Sequence, residues 1–182
     1  MLAAACEEDV VDILTDPPVK LDHSGELPRA VAWSQDGLRL ATGTESRVRI
    51  WDTTTWQLAA PELDASASAL AWRPDGTELA TGGDTLCSQI WCPTSGDLLR
   101  SFPENAELWS LQWLPDQRTL ALFGFTGDPY LTWLRDTTNG DRHELPELMG
   151  LAIIDAVWSP DGQRIAIIDD DDRLLVVERP RR

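Results

Sequence analysis

The chain has 182 residues, 42% of them hydrophobic, and a formal net charge of −16. That supports one domain with a sizeable core, and its apolar runs are too short to cross a bilayer as a helix. Lys20 is the only lysine and no basic stripe offsets the acidity. Nucleic acid and anionic membrane are therefore not expected as partners, and a protein or peptide, preferably basic, is.

Residues 1–9 read as a flexible N-terminus or the remnant of a signal. Small residues Ala3–Ala5 precede Cys6, as at the end of a bacterial lipoprotein signal, but no basic and apolar segment lies ahead of them in these residues. A cytoplasmic location is expected. The alternative is a cell envelope, with membrane attachment only if Cys6 is lipidated. Cys6, Cys87 and Cys92 show no zinc spacing, and reduced thiols are expected.

From residue 10 to 182 the chain reads as repeated short strands. Val10–Ile13, a turn at Thr15–Pro18, and Val19–Leu21 look like the tail of a preceding unit, including its outer strand. Four repeat cores follow, at 30–52, 69–92, 110–135 and 156–178. Their anchor tryptophans, Trp33, Trp72, Trp113 and Trp158, fall 39, 41 and 45 residues apart. A second anchor follows each: Trp51, Trp91, Leu134 and Val177. A period near 40 with several short strands per unit is the pattern of a β-propeller blade.

Each anchor tryptophan leads into a turn: Ser34–Gly37, Arg73–Gly76, Leu114–Gln117 or Ser159–Gly162. Pro presets φ, Asp bonds nearby amides and Gly accepts positive φ, so each reads as a tight hairpin. The strands beyond carry apolar residues on both faces, as a sheet sandwiched between sheets requires.

At Val48–Asp52 and Leu21–Glu26 the chain resembles the WD-repeat family, by its Trp-Asp ending and its Gly-His loop, with Asp22 where Gly is usual. Repeats three and four also resemble the S-P-D-G propeller repeats of bacterial envelope proteins. The resemblance implies an all-β propeller of four antiparallel, four-stranded blades, latched by the N-terminal strand or forming part of a larger ring. It also implies a brace of His23, Thr42, Glu45 and Trp51, with Glu where the family has Asp. The second repeat has Ala65 near the histidine position, so blades two to four are expected to rely on apolar packing.

Four blades are few for this family. Three arrangements stay open: a piece of a longer propeller, closure within one chain around small residues such as Ala41, Ala80, Ala121 and Ala166, or a homodimer that exchanges latch strands. The final repeat lacks an outer strand that the N-terminal strand would supply.

No catalytic constellation is expected. His143 reads as solvated, Asp169–Asp172 as a turn lacking calcium-loop spacing, and neither metal nor cofactor is assigned. A non-catalytic, protein- or peptide-binding scaffold is the expected function, with an envelope lipoprotein or a propeller enzyme as alternatives. In the family, partners contact residues four and six before each first anchor. That resemblance singles out Arg29, Glu107, Trp109 and Ile154 here.

Overall fold

The computed structural model describes residues 3–5, 10–13, 18–127, 130–148 and 150–179. Cys6 and the Thr15–Pro17 part of the first turn lie outside them. The described residues form seventeen strands in five antiparallel sheets, and their only helix is a single 3-10 turn at Pro146–Leu148. The all-β propeller reading holds.

The first sheet joins β1 (Ala3–Ala5), β2 (Val10–Ile13) and β3 (Val19–Asp22). The second joins β4 (Ala30–Trp33), β5 (Arg39–Gly43) and β6 (Val48–Asp52), with its outer strand reduced to two bridges, Val48 to Leu63 and Trp51 to Leu58. Two complete blades follow. One is β7 (Ala69–Trp72), β8 (Leu79–Gly82), β9 (Cys87–Trp91) and β10 (Leu98–Pro103). The other is β11 (Glu107–Trp113), β12 (Thr119–Phe125), β13 (Tyr130–Asp136) and β14 (Arg142–Glu144). The last sheet is β15 (Ile153–Trp158), β16 (Arg164–Asp169) and β17 (Leu174–Glu178).

The repeated turns have one construction. Asp36, Asp75, Asp116 and Asp161 each accept the amide two residues on, all at 3.0 Å. The amide at the fourth position bonds back to the first carbonyl, and that position has positive φ. Glycine fills it three times. The third turn forces Gln117 to φ 56°, where a Cβ costs energy.

Four apolar cores separate the five sheets. The first places Val11, Ile13 and Leu21 against Leu40 and Trp51. The next places Ala41 and Ile50 against Trp72 and Leu79, and the third Ala71, Ala80 and Ile90 against Trp113. The last places Ala121 and Phe123 against Trp158 and Ile165. The small alanines therefore sit between blades, where they admit the next blade's tryptophan, rather than around a four-bladed centre. Five sheets with four cores form an open arc.

Residues 3–5 form β1 on the edge of β2, with Ala3 opposite Ile13. Two expectations need correction. Among the described residues the N-terminal strand does not latch the last sheet: β3 pairs with β2, whose Val11 and Ile13 are fully buried, and β15–β17 has three strands. In the third repeat Arg135, not Leu134, stands opposite Leu120, as Trp51 stands opposite Leu40 and Trp91 opposite Leu79. Side chains alternate faces along a strand, so the one-residue difference sends Leu134 to the other flank.

Candidate functional site

The inner strands β4, β7 and β11 begin side by side at one end of the arc. They leave an open depression of about 280 Å³ lined by residues 29–31, 68–70 and 109–111. Glycines in the second strands let the loops come this close. A Cβ on Gly43 would lie 2.7 Å from the carbonyl oxygen of Ala67, and one on Gly82 would lie 2.8 Å from the Leu108 side chain.

Arg29 and Trp109 both line the depression, together with Ser68. Ser68 holds the equivalent place in the second repeat, four residues before Trp72. Arg29 is exposed and pairs with Glu45. Trp109 stands on a β-bulge between Leu108 and Ser110. A bulge re-aims the side chain it carries, and here the half-buried ring leans on Phe123 with centroids 5.5 Å apart. Its indole nitrogen is buried and makes no hydrogen bond.

Glu107 is exposed at the start of β11 and does not line the depression. Ile154 occupies the matching bulge of β15 and is 61% exposed, but it too lies outside the lining. At Gln112, where the earlier inner strands have Ala32 and Ala71, a longer side chain stands between β11 and β15. Its Oε1 accepts the Trp158 main-chain N–H at 3.1 Å.

The loops at this end are acidic. Glu45, Glu62, Asp64, Asp84 and Glu107 are exposed, against exposed Arg29, half-buried Arg47 and buried Arg49, which pair with Glu45, Asp64 and Glu62 in turn. The loops are also ordered from blade to blade. Ser66 donates to Asp84 at 2.8 Å, Arg47 pairs with Asp64, and Glu26 accepts the Ser46 and Thr44 hydroxyls. Those two bonds, Ser46 first, hold the Glu26 carboxyl below its ordinary range.

The brace beneath the first repeat joins three of the four residues named for it. Trp51 Nε1 donates to Thr42 Oγ1 at 2.9 Å, and Thr42 Oγ1 lies 2.8 Å from His23 Nε2. His23 Nδ1 lies 2.9 Å from the Leu21 carbonyl. That carbonyl can only accept, so Nδ1 carries the proton and Nε2 accepts from Thr42. Glu45 lies outside this chain of bonds, drawn away to Arg29 on the surface.

The later blades are braced by more than apolar packing. Trp91 donates to Thr81 at 3.1 Å without a histidine. In the third repeat the fully buried Glu104 carboxylate takes four bonds: from Ser88 at 2.6 Å, Trp133 at 2.8 Å, and Arg135 at 3.2 and 2.6 Å. Glu104 precedes β11 as His23 precedes β4. An arginine at the end of the mostly apolar run 130–135 was the one hint of it in the sequence.

The family described as WD domain, G-beta repeat, matches residues 17–52. Those residues match one WD repeat, and the fold of the chain is that of a β-propeller. Among many solved structures that match is the Cps50 (Swd1) β-propeller domain of Myceliophteria thermophila, with 19% identity and a TM-score of 0.70. The match covers 83% of this chain and 52% of that one, so the chain spans about half the length of the matched propeller. No curated protein matches.

Proposed function

We propose that this propeller is a non-catalytic binding module whose depression receives a basic protein segment. WD-repeat propellers are typically scaffolds that bind proteins or peptides, which supports the class. The observation that carries the reading is the convergence of Arg29, Ser68 and Trp109 on one depression with an acidic surround. A half-buried tryptophan can offer the exposed part of its ring to an incoming chain, and tryptophan is enriched among residues that dominate binding. The carboxylates of the surrounding loops select for Lys or Arg in the ligand and steer its approach.

The experiment is a titration of Lys/Arg-rich peptides against the chain, read by fluorescence anisotropy. Binding should weaken as salt rises, and Trp109→Ala should lower affinity by at least about tenfold, roughly 1.4 kcal/mol. The ring also packs on Phe123, so the melting temperature of the variant is the control for lost structure. Equal binding by Trp109→Ala, or a preference for acidic peptides, would reject the reading.

A further inference from the structure

We propose that the third repeat carries a second anchor at the ligand-facing end, a ledge of Phe125 and Tyr130 beside Glu107 that seats an arginine side chain of the bound segment. The inference rests on the reading of this acidic end as the receptor for a basic segment. Strand length is the first observation. β12 and β13 have seven residues each. Their equivalents β5 and β6 have five each, β8 has four and β9 five. Leu40, Leu79 and Leu120 hold one place in the repeat, opposite Trp33, Trp72 and Trp113. Counted from there, β5 and β8 end at Gly43 and Gly82, while β12 runs two residues farther, to Phe125. The added length stands at the end of the blade where the depression lies.

That added length carries aromatic rings. Glu107, Phe125 and Tyr130 lie opposite one another across β11, β12 and β13, so their side chains share one flank of the sheet. The Phe125 and Tyr130 rings are 5.0 Å apart between centroids. Phe123, two residues back on the same flank, is fully buried in the last core, against Trp109. Phe125 and Tyr130 belong to none of the four cores. The sheet on that flank, β15–β17, packs over Ala121 and Phe123 and leaves Tyr130 38% exposed. The ledge is therefore bare with its neighbouring sheet already in place.

The chemistry of the ledge selects the occupant. The faces of aromatic rings attract cations. Glu107 is exposed, and among the described residues no cation pairs with it. Asp170, Asp171 and Asp172 of the next sheet are exposed at the same level, Asp170 being five residues past Ile165 as Phe125 is five past Leu120. A planar guanidinium can lie on a ring and fork its N–H groups to a carboxylate at once, which a compact ammonium cannot. Arginine is thus preferred to lysine. Glu107 stands two residues before Trp109 on β11, so ledge and depression are at most about 7 Å apart along the strand. A segment that contacts Trp109 reaches the ledge with an arginine about two residues on.

The test is fluorescence anisotropy of a fluorescein-labelled peptide of alternating glycine and arginine, and of its lysine counterpart, titrated with the full chain. The arginine peptide should bind the wild type more tightly than the lysine peptide does. Tyr130→Leu and Glu107→Gln should each weaken the arginine peptide by at least about threefold and narrow its lead over the lysine peptide. Tyr130→Phe keeps the ring and should bind as the wild type. Melting temperatures of the variants control for lost structure, and Glu107→Gln alters only an exposed side chain. Ledge variants that bind as the wild type, while Trp109→Ala weakens binding, overturn the ledge and spare the depression. Weak ledge variants with Trp109→Ala neutral do the reverse. Equal affinity of the wild type for the two peptides, or a loss in Tyr130→Phe equal to that in Tyr130→Leu, also overturns the ledge. A wild type that binds neither peptide overturns both readings.

Discussion

The indole nitrogen of Trp72 donates to the main-chain carbonyl of Ala32 at 2.9 Å, tying one blade to the inner strand of the blade before it. Trp113 repeats the bond to Ala71 at 3.2 Å, while the buried indole nitrogen of Trp158 has no partner. The three side chains are equally buried, so the difference isolates the bond. Trp72→Phe should cost about 2–3 kcal/mol, combining lost volume with an orphaned carbonyl. Trp158→Phe should cost less, because it also removes an unsatisfied donor. Urea midpoints of the two variants check this, and equal losses would show that the indole bond contributes nothing.

Thr42 is the centre of the first brace, accepting from Trp51 and donating to His23. Thr42→Val keeps the shape and strands two buried groups at once. Removing it should cost about 2–4 kcal/mol, since each unmatched buried polar group costs about 1–3. Thr81 holds only Trp91, so Thr81→Val should cost about half as much. The ratio of the two losses in chemical denaturation is the measurement.

Features set by a few consecutive residues were legible in the sequence. The anchor tryptophans, the Asp turns and the strand period all follow from local chemistry, and Arg29 and Trp109 meet because equal offsets in a repeat meet in a ring of blades. What escaped depended on register or on partners far along the chain. The strand Tyr130–Asp136 offers Leu134 and Arg135 equally to a spacing argument, and only pairing with Leu120 selects Arg135. The selection rests on Glu104, some thirty residues away, which makes a buried arginine tolerable at a tryptophan's position. Gln112 likewise gave no sign that it would accept the Trp158 main-chain N–H of the next sheet.

The turn at Leu114–Gln117 keeps the geometry of its glycine-bearing equivalents with a side chain in place. Gln117 is exposed, so nothing in its surroundings compensates for the left-handed backbone. Gln117→Gly should stabilise the fold by up to about 1 kcal/mol, the relief of strain exceeding the added freedom of the unfolded chain. A thermal melt suffices, and a fall in melting temperature would mean that the Gln117 side chain makes a stabilising contact.

Asp136 gives the stability a dependence on pH. Its buried carboxylate pairs with Arg118 at 2.5 Å and accepts the Thr138 amide and hydroxyl, which holds its pKa far below the ordinary value, Arg118 being the main cause. A folded pKa below the unfolded one means that the unfolded chain takes up the proton first. The stabilisation is then full above the unfolded value of about 3.9 and is lost as pH falls below it toward the folded value. Asp136→Asn should therefore flatten the fall in stability below about pH 4. Equal slopes for the two proteins would show that other carboxylates govern acid unfolding.

Glu104 and Arg135 form the one ion pair in which both side chains are almost wholly buried among the described residues. Burying two charges costs several kcal/mol, which their attraction repays only when the remaining groups are also bonded. Here they are. Ser88 and Trp133 complete the carboxylate, the Gly140 carbonyl takes another Arg135 N–H at 2.5 Å, and Phe102 lies against the guanidinium at 5.3 Å. Glu104→Ala leaves a buried cation and two stranded donors, and should cost about 3–5 kcal/mol. Arg135→Trp alone restores the residue type of the first two repeats but orphans the carboxylate, so it too should destabilise. Joined with Glu104→Leu, which resembles Leu63 ahead of the second repeat, it should recover most of the loss. A double-mutant cycle measured by denaturation gives the coupling directly. Coupling near zero would mean that the pair is incidental to the third blade, and that its apolar contacts alone hold β13 in register.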